Sequence, residues 1–90
     1  VQGAAGVIIP PDTYLRKCRD ICTEHNVLFI ADEVITGFRL AYGGAEEFFD
    51  IVPDLSTYGK IIGGGTPVAA IAGDKDLFPH HNRAGGAGAR

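Results

Sequence analysis

Residues 27–65 read VLFIADEVITGFRLAYGGAEEFFDIVPDLSTYGKIIGGG, and the fold turns on how this stretch is interpreted. Five apolar residues, Val27 to Ala31, run without a break into Asp32 and Glu33. Such a run is too short for a buried helix and suits a strand covered on both faces. Lys60 follows 28 positions after Asp32, set against the triple glycine Gly63, Gly64 and Gly65. Glycines in a row permit backbone conformations closed to other residues, or the close approach of another group.

Upstream, Tyr14, Leu15, Cys18, Ile21 and Cys22 recur at helical spacing, while Arg16, Lys17, Arg19, Asp20 and Glu24 take the other side. This predicts an amphipathic helix over 13–25 that covers something apolar. Asp12 stands where an N-cap is expected, and His25 and Asn26 end the helix, with His25 as a favourable polar group near its C-terminus. Before it, Val7 to Ile9 form a brief apolar run that Pro10 and Pro11 stop. Short strand, helix and second apolar strand suggest a βαβ unit with a parallel sheet, hence the α/β class. In such sheets ligands bind beyond the carboxyl ends of the strands. Asp32 is at that end.

Downstream, Thr36 and Gly37 read as a turn and Tyr42 to Gly44 as a flexible corner. Ala45 to Phe49 predicts a short helix with Phe48 and Phe49 inward, ended by Asp50 and Pro53. Leu55 to Tyr58 reads as another strand, and residues 67–73, PVAAIAG, as one more buried strand. Asp74 to Phe78 starts a helix. The tail, residues 79–90, has neither period nor apolar face and is expected to be disordered. Its adjacent His80 and His81 point apart on an extended chain, which argues against a two-histidine metal site.

Ninety residues is about one small domain, for which a self-sufficient core is marginal. A composition 46% hydrophobic and 21% charged speaks against disorder, and a net charge of -3 gives no reason to expect nucleic acid or an anionic membrane as partner. Cys18 and Cys22, four apart, do not form a redox or zinc signature and read as small apolar residues in a reducing compartment. No run reaches a membrane span, and the opening VQGAAG lacks a leader pattern. A cytoplasmic location is the expectation. The opening also starts mid-phrase without methionine, so a piece of a longer chain is expected.

An apolar strand ending in Asp32-Glu33 could belong to a nucleotide hydrolase, but that requires glycines before the lysine and Ser or Thr after it. Here Ile61 follows Lys60 and the glycines come later. A lysine and a carboxylate on rigid elements instead meet the demands of pyridoxal phosphate. The amine takes up the cofactor aldehyde, and the carboxylate keeps the pyridine nitrogen protonated.

ADEVITGFRLAYGGAEEFF, PDLSTYGKIIGGGTPVAAIAG and VQGAAGVIIPPDTYL resemble class III pyridoxal-phosphate aminotransferases of fold type I. Within that family, GFR…YGGA and GKIIGGG-x-PV are most similar to the aminomutase branch. The resemblance covers residues 1–78. It implies part of the large cofactor-binding domain, a mostly parallel sheet with flanking helices, with 79–90 as a tail outside the family pattern. It implies amino-group transfer on a small-molecule amino substrate, by an aminomutase or by a transaminase with another amino donor, in a much longer homodimeric subunit. On that resemblance Asp32 pairs with the pyridine nitrogen, Val34 packs on the ring face, and Lys60 forms the Schiff base and shuttles the proton. The 90-residue piece alone is expected to be inactive. Glu33 belongs to the matching motif with a structural role. Arg39 could hold a substrate carboxylate by its fork of donors, or make a salt bridge at a surface or subunit interface.

Overall fold

A computed structural model describes residues 1–77. Helix α1 (Tyr14–Glu24) leads to strand β1 (Ile30–Asp32), helix α2 (Gly44–Phe49) and strand β2 (Leu55–Tyr58). A 3-10 turn at Lys60–Gly63 precedes strand β3 (Ala70–Gly73) and a second 3-10 turn at Lys75–Leu77. The strands form one sheet in the order β1-β2-β3. The tail and its histidines, and the end of the last expected helix at Phe78, lie outside the described residues.

The α/β expectation stands, with a mixed sheet. Strand β2 is parallel to β1 and antiparallel to β3. The crossover unit is β1–α2–β2, which places Asp32 beside Thr57 at the carboxyl ends of two parallel strands. Val7 to Ile9 does not supply the expected first strand. It makes a single antiparallel bridge, Gln2 to Ile8, around a turn over Gly3–Gly6, and Val7 sits at φ 60. Pro10 and Pro11 offer no N–H, so the bridge cannot grow into a ladder.

Helix α1 begins one residue later than its sequence signal. Thr13 is the N-cap, without a side-chain hydrogen bond, and the Tyr14 amide donates to the Pro11 carbonyl, so Asp12 lies in the preceding turn. His25 caps the other end and Asn26 takes φ 56, as a C-terminal stop requires. Strand β1 starts three residues later than expected, at Ile30, because Val27 and Leu28 are exposed and pairing begins only where the Asp54 and Leu55 amides reach the Phe29 carbonyl.

Three burial expectations fail together. Ile30 is 55% exposed, Ile71 in β3 is 48% exposed, and Phe48 is 59% exposed, edge-on to Phe49. Among the described residues the buried apolar side chain is Ile51, whereas Glu33, Thr36 and Ser56 are buried polar ones. That inverts the usual pattern of globular interiors. Among the described residues no helix is long and apolar enough to cross a membrane.

Candidate active site

Asp32 closes β1 with its side chain in the open. Its Oδ1 accepts from the Val34 amide at 3.0 Å, an Asx turn that starts the loop, and from the Thr57 hydroxyl at 3.2 Å across the ladder. The backbone continues the match, since the Glu33 amide donates to the Thr57 carbonyl at 2.8 Å. The carboxylate is thus oriented by two donors from two chain segments.

Lys60 follows β2 after one glycine and opens the 3-10 turn at φ 46, a left-handed conformation uncommon for a residue with Cβ. The turn ends with Gly64 and Gly65 at positive φ, which lets the chain reverse toward β3. A cleft of about 490 Å³ is lined by Val1 to Ala5, Asp32, Val34, Ile35, Thr36 and Lys60. Asp32, Val34 and Lys60, far apart in sequence, therefore share one cavity.

Glu33, next to Asp32, points away from solvent and is 1% exposed. Its carboxylate accepts from the Thr36 hydroxyl and from the Ala45 and Glu46 amides at 2.8 and 3.0 Å, closing the first turn of α2. Anionic oxygens satisfy donors that a helix start leaves unpaired. Gly44 is required here, because it sits at φ 69 and a Cβ would lie 2.6 Å from Glu33 Oε1. The structural role expected for Glu33 has this basis.

On β2 the pattern alternates: Ser56 and Tyr58 donate to Glu46 Oε2 at 2.5 and 3.1 Å, while Thr57 turns to Asp32. Burial, and then the Glu46 charge, raise the Tyr58 phenol above its ordinary pKa. Arg39 is exposed and donates from Nε to the Ile35 carbonyl at 3.2 Å; among the described residues it makes no ion pair. Cys18 and Cys22 are free thiols, half-buried on α1. No group of three or more metal-ligating side chains occurs among the described residues.

Sequence reasoning missed two contributors. The segment Val1–Ala5 lines the cleft although it offers no chemically reactive side chain, and Thr57 holds Asp32. A register for β1 on β2 would have paired Asp32 with Thr57, but pairing is not encoded locally.

An anchored carboxylate and a primary amine that line one cleft, at and just beyond the carboxyl ends of parallel strands, make a candidate site for a cofactor with a cationic ring and an electrophilic carbon. The model of the family Aminotransferase class-III matches residues 1–88, and the chain belongs to that family. Glutamate-1-semialdehyde 2,1-aminomutase of Nitratidesulfovibrio vulgaris is 58% identical over 78 residues, 87% of this chain and 18% of that protein. An ornithine aminotransferase from Plasmodium yoelii has a similar structure, with TM-score 0.80 and 40% identity over 87% of this chain and 21% of that one. An omega transaminase from Pseudomonas jessenii, solved in complex with PMP, gives TM-score 0.73 and 40% identity over 79% of this chain and 16% of that one. Members of the family are pyridoxal-phosphate-dependent aminotransferases and aminomutases. The chain spans about a fifth of the length of the relatives it matches.

Proposed function

We propose that this segment holds the cofactor in a pyridoxal-phosphate-dependent enzyme of the glutamate-1-semialdehyde 2,1-aminomutase type. The observation that carries the reading is the shared cleft, in which Asp32, Val34 and Lys60 converge from the ends of β1 and β2. The residues fit the cofactor chemically: an anion for a pyridinium, an aliphatic surface for a ring face, and a primary amine for an aldehyde. When bound, the cofactor supplies an electron sink for a substrate carbon that has lost its proton.

The chain's own groups do the rest. Asp32 holds the proton on the ring nitrogen by its charge. Val34 would offer its aliphatic surface to the ring and keep water from that face. Lys60 Nζ is the group that would hold the aldehyde and, as a free amine, would accept and return the proton at the substrate carbon. The activity is that of a subunit of the relatives' length, for which we propose a homodimer and a small-molecule amino substrate. A class III transaminase with another amino donor is the second reading, favoured by the likeness to the ornithine aminotransferase and the omega transaminase.

The test is to express the full-length subunit carrying this segment, add pyridoxal phosphate, and treat with borohydride. A visible band should appear and the reduced label should map to Lys60; no band, or a label on another lysine, overturns the proposal. Turnover of glutamate-1-semialdehyde then supports the aminomutase, and turnover of ordinary amino donors alone supports the transaminase.

A further inference from the structure

We propose that the hydroxyl of Thr57 is a positioning group for the Asp32 carboxylate, so that one strand end carries both the amine of the site and the donor that aims its anion. The inference rests on the function proposed above and deepens it. Asp32 is exposed, and an exposed carboxylate ordinarily samples several rotamers. Here Oδ1 is taken by two donors at an angle fixed by different parts of the chain, the Val34 amide from the loop that leaves β1 and the Thr57 hydroxyl from β2. Among the described residues Oδ2 has no hydrogen-bond donor. It remains available to whatever the cleft holds.

The Val34 contact alone would tie the carboxylate only to its own loop. The Thr57 contact ties it to the strand that delivers Lys60 three residues later. The donor that orients the anion and the amine itself are therefore delivered by one chain segment, three residues apart, as a preorganised site requires. A threonine in a strand also has a plain reading, since its branched side chain favours extended backbone. That reading requires shape and no hydroxyl, which separates the two by experiment.

Three forms of the full-length holoenzyme are compared: the parent, Thr57→Val, which keeps the shape, and Thr57→Ser, which keeps the hydroxyl. Thr57→Val should release cofactor about five- to tenfold more readily in equilibrium dialysis, within the net worth of one solvent-exposed hydrogen bond. The pH at which its visible cofactor band changes should also shift, while the thermal midpoint of the cofactor-free form stays close to the parent's. Thr57→Ser should restore both cofactor affinity and the band's pH profile. A Thr57→Val protein that matches the parent in both, or a Thr57→Ser protein as impaired as Thr57→Val, overturns the assignment. If the parent itself takes up no cofactor, the proposed function fails and the assignment with it; uptake by the parent with an unaltered Thr57→Val variant sinks the assignment alone.

Discussion

At the scale of single residues, Asp32 and Glu33 show how neighbours of one chemical type acquire opposite roles. Glu33 directly follows β1 with its amide still donating to Thr57, so the extended backbone turns the two side chains apart: one carboxylate meets the cleft and the other meets α2. Asp32→Asn keeps an acceptor for Val34 and Thr57 but removes the charge. The full-length enzyme should then retain its fold by circular dichroism and lose activity by roughly 100-fold or more. Glu33→Ala should act the other way. It strands the buried Thr36 hydroxyl and the part-buried Ala45 and Glu46 amides, at a cost of about 3 kcal/mol, read as a lower denaturant midpoint of the cofactor-free subunit. Glu33→Gln keeps one acceptor oxygen and should lose less. An alanine variant as stable as the parent would refute this capping account. The motif was legible in the sequence, but the division of labour within it needed the position of α2.

At the scale of elements, α1 is docked by arginines more than by apolar burial. None of its residues is buried, and Tyr14 and Ile21 are 53% and 56% exposed. Arg16 reaches the Asp50 carbonyl beyond α2 at 2.5 Å, and Arg19 donates to the Val52 carbonyl at 3.1 Å. Arg19 also pairs with Asp54 at 3.1 Å and lies 5.3 Å from the Phe29 ring centre. Asp54 is the hub, since it accepts from the Phe29 amide at 2.7 Å as well. That amide, and then Arg19, hold the Asp54 carboxyl below its ordinary pKa. The unfolded carboxyl titrates near ~3.9 and the folded one lower, so the contribution to stability is complete above pH ~4. It is lost as the pH falls from there through the folded value. With Asp54 32% accessible, solvent screens the pair and the effect is small. Acid titration followed by fluorescence or circular dichroism should show Asp54→Asn less stable than the parent at pH 7, with the gap closing as the pH falls below the ordinary carboxylate range. A gap that persists at low pH would assign the loss to packing instead. Helical periodicity revealed α1, but nothing local revealed its arginine docking.

At the scale of the whole molecule, the described residues form a thin sheet with apolar surface left open on α1, β1 and β3. Val7, Ile8 and Ile9, 63%, 54% and 67% exposed, add to it. Hydrophobic burial is the main favourable contribution to folding, and one buried isoleucine supplies little of it. The 90-residue chain expressed alone should bind a hydrophobic dye and melt over a broad range, whereas the same segment within a full-length subunit should be protected from hydrogen exchange along β1 and β2. A sharp, reversible transition of the isolated chain would show that its core suffices. The sequence by itself determined the strand-end carboxylate, the amphipathic helix, β2 and the turn that carries Lys60, because periodicity, glycine and proline act within a few residues. It also determined the family through motif order. Only the tertiary structure decided that the sheet is mixed, that the crossover runs through α2 and that Thr57 reaches Asp32. Strand register and pairing arise from contacts between residues distant in the chain, and local propensity does not encode them.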